Sequence, residues 1–416
     1  MIRRYALLLT TLSVLVAAPA AAQVGVLDQP FRNDPFQPLL EGGWSFGHYL
    51  SVGAENNTLG VGDLVAIGYL VDDFRPSDIF LVAGLVPVGD GVRIGTQDRT
   101  GITITFPVGR HVTLGVTGGG RVLGSGQIPD NVATLVRDGM TGDEITVDLT
   151  EMGAELFGYA EAGVNGVGDI PLLPTPFGLV RLRAGAGVRY IQSLSHVRLG
   201  FAGDTGEETS TFTLNRTGVS TMLNLASPIG EEIMADGGSG IATDLMVGAT
   251  LGEMAQLRLA VTDMGSAEVT VGQREVRTIT MDDVSFVDLS STADSVGVTD
   301  TVAAATRSVP LPTTFRVDGS FRPIDMVGVG ARLAVPLGED APSLEPLVQA
   351  GIEFRPLHAL PLRAGITGGD FGAGFYGGLG IDTRGFDLDL ELASAGGPAL
   401  ADLRGVMFRS ALAIRF

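Results

Sequence analysis

The sequence predicts an all-β fold, an antiparallel β-barrel that crosses a membrane through its strands. Three observations predict it. Apolar residues come mostly one at a time, alternating with Gly, Thr, Arg and Asp, and a period of two is the strand period because successive Cβ atoms point to opposite faces. The alternation runs to the last residue: Phe416, Ile414, Leu412, Ser410 and Phe408 share one face, and Arg415, Ala413, Ala411, Arg409 and Met407 the other. Hydrophobic residues make up 45% of the chain and Gly 60 of its 416 residues. Yet no stretch beyond the first 22 residues approaches the ~20 consecutive apolar residues of a membrane helix.

The amino terminus indicates export. Arg3 and Arg4 precede an apolar core from Tyr5 to Val16, and Ala20-Ala21-Ala22 before Gln23 offers a small-x-small cleavage site. Residues 1–22 therefore read as a signal peptide, the core being too short to span ~30 Å of hydrocarbon at ~1.5 Å per residue. Residues 23–43 are Pro-rich and without a clean period, a leader or a segment tucked into the barrel mouth; residues 44–416 form the barrel. The chain has no cysteine, which excludes disulfides, thiol nucleophiles and thiolate metal sites. A net charge of −20 argues against a nucleic-acid partner.

The strands follow in order. Trp44, Phe46, His48, Leu50 and Val52 alternate with polar or small residues. Leu64 to Val71 reads as a short helix, and Asp78 to Val86 as a further strand. From Gly101 a hairpin emerges, with Ile102, Ile104 and Phe106 before a turn at 107–110 and Val112, Leu114 and Val116 after it. Asn131 to Arg137 looks like one or two helical turns. Alternation returns from Glu151 to Val164. In Leu179 to Tyr190, Val180, Leu182, Ala184, Ala186 and Val188 oppose Arg181, Arg183 and Arg189. Those arginines should point into the lumen, since a charge on the lipid face costs ~2–4 kcal/mol near the midplane.

The middle of the chain is less regular. Thr211 to Arg216 suggests a short strand, and Gly218 to Gly240 a break with a helical turn near Glu231. Ile241 to Leu251 and Leu257 to Val261 alternate, Glu268 to Thr280 does so weakly, and Asp282 to Pro312 reads as a long polar loop. The last hundred residues alternate cleanly, with Ile352 opposite Glu353, Leu362 opposite Arg363, and Leu388 and Leu390 opposite Asp387, Asp389 and Glu391. Counted back from Phe416, the connections Ala395–Gly405, Asp382–Gly385, Gly368–Gly372, Pro356–Leu360, Pro336–Pro346 and Pro323–Asp325 tend to alternate long and short. Long extracellular loops and short periplasmic turns would produce that asymmetry.

An export signal, alternating strands that close on an aromatic residue, and a polar or glycine-rich opposite face together resemble Gram-negative outer-membrane β-barrels. The glycine-rich course, the interruption at Asn131 to Arg137 and the stretch Leu179 to Tyr190 look more narrowly like uncharacterised members of the long-chain fatty-acid transporter clan. The resemblance covers most of the mature chain and implies fourteen strands (range 12–18), with sixteen to eighteen candidates in the sequence. It implies a channel for small hydrophobic or amphipathic molecules, assembled by machinery that reads the strand ending at Phe416 and embedded in outer-membrane lipid. The Asn-Pro-Ala tripeptide that the transporter carries near its mature amino terminus is absent.

Catalytic patterns are thin, and the sequence reads as a non-enzyme without a cofactor. The four histidines, His48, His111, His196 and His358, have no metal-ligand spacing. His48 falls on the apolar face of the first strand, His111 and His358 sit beside turns, and His196 shares a polar face with Arg198. Gly185-Ala186-Gly187 lies mid-strand and so lacks the strand-to-helix context of a phosphate loop. The ligand-binding candidates are the inward-facing residues Arg181, Arg183, Arg189, Glu353, Arg363, Asp387, Asp389 and Arg409. Internal ion pairing that fills the barrel competes with this reading, because polar barrel interiors are normal. The alternative function is a non-transporting structural or secretion-accessory barrel that anchors or assembles surface proteins.

Overall fold

The computed structural model describes residues 36–40, 43–56, 92–130, 144–148, 153–176, 178–200, 211–217, 220–252, 254–285, 299–302, 305–337, 347–369, 372–383, 385–396 and 403–416. Among these residues a one-turn helix, α1 (Gln37–Leu40), precedes eighteen strands. The first nine are β1 (Ser45–Asn56), β2 (Val92–Val108), β3 (Val112–Ile128), β4 (Glu144–Asp148), β5 (Gly153–Thr175), β6 (Gly178–Gly200), β7 (Thr211–Thr217), β8 (Ser220–Leu251) and β9 (Ala255–Ser285). The others are β10 (Thr299–Val302), β11 (Ala305–Pro310), β12 (Thr314–Ile324), β13 (Val327–Pro336), β14 (Leu347–Leu357), β15 (Leu360–Gly369), β16 (Gly372–Asp382), β17 (Phe386–Gly396) and β18 (Leu403–Arg415).

Fourteen of these strands close a single antiparallel barrel in the order β1-β2-β3-β5-β6-β8-β9-β12-β13-β14-β15-β16-β17-β18. Closure runs through β1 and β18, paired from Ser45↔Arg415 to Glu55↔Gly405. Every backbone group of a lipid-facing strand needs an internal partner, and a closed ladder supplies it without an edge. The remaining four strands belong to an extension. β4 pairs with β7, β7 with the start of β8, and β10 and β11 with the far half of β9.

The sequence reading needs correcting in the middle of the chain. Gly218 to Gly240 contains no helical turn at Glu231, because residues from Ser220 onward belong to the 32-residue β8. Asp282 to Pro312 is not one polar loop, since β9 runs to Ser285 and β10 and β11 follow. Here the ladder bonds of β8 with β9, β7 and β6 specify the extended chain, and they do not require apolar alternation. The β8–β9 ladder has several register shifts between Leu223 and Leu245, which scramble the period that sequence reasoning relies on. The proposed helices at 64–71 and 131–137 and the strand at 78–86 lie outside the described residues.

Elsewhere register and facing follow the alternation. β2 and β3 pair from Val92↔Ile128 to Val108↔Val112 around a turn with Gly109 at φ 76°. Connections at 325–326, 358–359 and 383–385 lie at the same end as Ser45 and Phe416, which we term the near end. β13, β15 and β17 end and β14, β16 and β18 begin at the far end, and only two residues separate β15 from β16, as few as separate strands at the near end. Leu182, Ile352, Leu379, Phe408 and Ile414 face outward and are exposed, whereas Arg189, Glu353, Arg363, Asp389 and Arg409 face inward and are buried. His48 is exposed on the outer face of β1, with Trp44 stacked near Phe106 at the near end, ring centroids 5.6 Å apart.

Some glycines make room for lumen aromatics lying flat on the wall. A Cβ at Gly101 would meet the Tyr49 hydroxyl at 2.5 Å, and Cβ atoms at Gly351 and Gly365 would both fall on the Tyr376 ring. Each tyrosine thus spans neighbouring strands where a side chain would otherwise stand. The Arg99 guanidinium stacks on Tyr49, 5.3 Å from the ring centroid.

Candidate functional site: the barrel lumen

Along the wall from β2 to β9 the lumen is tiered. At the far end Leu123, Phe157, Tyr159, Ile191, Val269, Val309 and Leu311 form a buried apolar cluster. Leu311 is drawn in from the β11–β12 link by its N–H, which donates to the Gly265 carbonyl at 3.0 Å. His196 is buried beside this cluster, 2.8 Å from Glu155 Oε1 through Nε2 and edge-on to Phe157.

Below the cluster lies a charged belt. Arg189 on β6 donates to both carboxylate oxygens of Asp244 on β8, at 2.9 and 2.8 Å, and to Asp263 Oδ1 on β9 at 2.6 Å. It also pairs with Glu161 on β5, which accepts from Arg99 Nε at 2.9 Å. Arg121 on β3 completes the belt, 3.0 Å from Asp263 Oδ1 and donating to the Tyr159 hydroxyl at 3.2 Å. Three cations and three anions, all buried, compensate one another where a lone charge would be costly. Asp263 adopts φ 62°, a left-handed conformation that Asp tolerates better than most residues. There its N–H donates to Asp244 Oδ1 at 2.8 Å and its carbonyl accepts from Thr313 Oγ at 3.0 Å.

A second apolar tier lies nearer the near end. Phe36 and Leu39, from the segment before β1, are buried against Val167, Met246 and Ala260. The turn holding them closes with Leu40 N–H donating to Phe36 O at 3.2 Å. The wall is thinned to receive them: a Cβ at Gly185 would lie 2.9 Å from the Phe36 ring, and one at Gly115 3.3 Å from Leu39. Beside this segment, at the near mouth, a cavity of about 220 Å³ is lined by Leu39, Leu40 and Val167 on its apolar side and by Arg110, Asp169, Arg181 and Arg183 on its polar side. Arg181 Nη1 donates to Asp169 Oδ2 at 3.0 Å, and Arg183 stands 3.8 Å from the same oxygen.

The opposite wall, β12 to β18, carries separate ionic groups. Asp318 accepts from Arg258 at 3.0 and 2.6 Å and from Arg332. Glu353 accepts from Arg322, Arg355 and Arg363 at 2.8 Å each, and Arg363 also reaches Asp389. Arg409 lies 3.7 Å from Glu391, and Arg415 pairs with Asp387.

The eight candidate residues therefore do not form one site. Arg181 and Arg183 line the near mouth, where Arg181 is partly exposed. Arg189 anchors the belt. Glu353, Arg363 and Asp389 form one cluster, while Asp387 and Arg409 join others. Sequence reasoning missed Arg99, Arg121, Asp244 and Asp263 as belt members, and it covered Phe36 and Leu39 only as part of a segment that the barrel mouth could hold. Alternation carried upstream of Gly101 would have found Arg99; nothing local marks Asp263, which sits on a bulge.

A closed fourteen-stave barrel with an apolar exterior and a charged interior defines the class: a transmembrane antiparallel β-barrel. Solved structures similar to this chain include the Ralstonia pickettii toluene transporter TbuX, 13% identical with a TM-score of 0.45, covering 90% of each chain. The Pseudomonas putida toluene transporter TodX is 9% identical with a TM-score of 0.48, covering 95% of this chain and 96% of that one. The CymD monoaromatic hydrocarbon channel is 9% identical with a TM-score of 0.49, covering 96% and 95%. No family model and no curated protein matches the sequence.

Proposed function

We propose that the protein is exported to the outer membrane through cleavage of residues 1–22 and passes small hydrophobic or amphipathic molecules, with residues 23–43 acting as a plug. The observation that carries this reading is the burial of Phe36 and Leu39 against Val167, Met246 and Ala260 inside the lumen, on the near side of the charged belt. Apolar surface facing a wet lumen is unfavourable by ~25 cal/mol per Å². A segment that covers it can exchange with an apolar molecule that covers it equally well. Arg110, Arg181 and Arg183 at the adjoining mouth suit an anionic head group, since guanidinium and carboxylate form charge-assisted, often bidentate bonds. In this reading the near end is periplasmic, the outward apolar residues meet lipid, and Phe416 is presented to the assembly machinery.

The belt favours the second reading, a structural or secretion-accessory barrel, because its ion pairs would have to part or be bypassed for a molecule to cross. Removing residues 36–40 separates the two. On the transport reading, flux of a small aromatic or fatty acid into liposomes rises in the deletion; on the accessory reading it stays at the level of protein-free liposomes.

A further inference from the structure

The near-mouth cavity is small, and it is charged on one side only. Its arginines come from two places, Arg110 from the β2–β3 turn and Arg181 and Arg183 from the start of β6. Among the described lining residues the one carboxylate is Asp169, toward the end of β5. The Asp169 N–H donates to the His111 carbonyl at 2.7 Å, which ties that part of β5 to the turn and fixes one wall.

The ion pairing leaves cations over. Asp169 Oδ2 accepts from Arg181 at 3.0 Å, while its Oδ1 is buried and does not open on the cavity. Arg183, 3.8 Å from Oδ2, is beyond hydrogen-bond reach. Arg110 forms no ion pair among the described residues. Two of the three guanidinium groups therefore lack a hydrogen-bonded counter-charge. Asp169 also shows which head group these arginines accept, since a carboxylate oxygen already bridges toward both Arg181 and Arg183.

The other side of the cavity limits the rest of the ligand. Leu39 and Val167 are buried there, with Leu40 packed against them. The space, about 220 Å³, is below the ~300–1,000 Å³ of pockets that hold drug-sized molecules. An occupant held whole has a body of one ring or a short chain, whereas a long-chain acid would seat its head alone.

We propose that this cavity binds a small monocarboxylate with a short apolar body, its carboxylate on Arg183 and Arg110 and its body against Leu39, Leu40 and Val167. The proposal rests on the reading of this mouth as an anionic head-group site and names the class of molecule it takes.

The test is equilibrium dialysis of radiolabelled benzoate against the folded full-length barrel in detergent, with protein-free micelles as the blank. Wild type should bind benzoate saturably. Acetate, which has the head without the body, and benzyl alcohol, which has the body without the charge, should each compete at least tenfold more weakly than unlabelled benzoate. Two variants, each shown to remain heat-modifiable, locate the site. Arg183→Met should bind benzoate about tenfold or more weakly, as expected for loss of a charge-assisted hydrogen bond. Thr113→Trp, which fills the cavity from β3 and keeps all three arginines, should abolish binding. No saturable binding to wild type, or equal binding by both variants, overturns the site. Acetate or phenyl phosphate competing as well as benzoate overturns the ligand class. Because binding is read without flux, the site stands even if the barrel passes nothing, and a conducting barrel that binds no benzoate removes the site alone.

Discussion

The Arg189 guanidinium on β6 and the Asp263 carboxylate on β9 meet at 2.6 Å across an intervening stave. This contact turns a ladder of nearest-neighbour pairings into a cross-braced wall. Removing one partner of a buried pair leaves the other uncompensated, at ~3–5 kcal/mol. Arg189→Met, which strands Asp244 and leaves Glu161 to Arg99 and Asp263 to Arg121, should therefore lower the temperature of heat-modifiable unfolding markedly. Arg181→Met, at the exposed mouth pair, should barely change it. Equal midpoints for the two variants would mean that the belt does not brace the barrel.

Facing can be tested residue by residue, because the native chain has no cysteine to interfere. Single cysteines at Leu182, Ile352, Leu379 and Leu390 should react with membrane-confined reagents. Cysteines at Arg183, Glu353, Arg363 and Asp389 should not, and only those reached by lumen water should take water-soluble ones. A pattern that ignores this alternation contradicts the register.

This alternation is also why so much of the barrel was legible. From Thr314 to Arg415 each stave is short and faces lipid on one side, so Ile352 against Glu353 or Leu390 against Asp389 states the facing outright. From Ser220 to Ser285 the strands outrun the barrel, and ladder pairing with bulges replaces the apolar period. The belt was only partly visible for a different reason. Arg189 could be placed on an inward face from sequence, but its partners come from β5, β8 and β9, and their convergence depends on barrel closure. Phe36 lies in a segment without period, so its burial depends on Gly185 across the lumen wall.

The fit of Phe36 against Gly185 gives a prediction about the segment. Gly185→Leu should push Phe36 off the wall, since even a Cβ there would lie 2.9 Å from the ring. A reporter cysteine at Leu39, buried in the native fold, should be slow to react with a water-soluble maleimide and become fast when Gly185→Leu is added. An unchanged rate would mean that the two residues are not coupled.

Phe416 continues the outward face of β18, and its N–H donates to the Trp44 carbonyl at 3.0 Å, next to the closing seam. Deleting it removes this bond and, on the proposed reading, the terminal aromatic that the assembly machinery would read. The amount of heat-modifiable barrel recovered from outer membranes should fall. Undiminished recovery would remove the terminal strand's role as an assembly signal.

The proposed function rests most directly on whether the wild-type barrel passes a molecule at all. Purified protein in liposomes should admit a small aromatic hydrocarbon or a fatty acid faster than protein-free liposomes of the same lipid. Arg183→Ala, at the near mouth, should slow the fatty acid and leave the neutral hydrocarbon unchanged. Flux equal to that of protein-free liposomes for both molecules, from protein shown to be folded, would contradict the transport reading and leave the accessory barrel in its place.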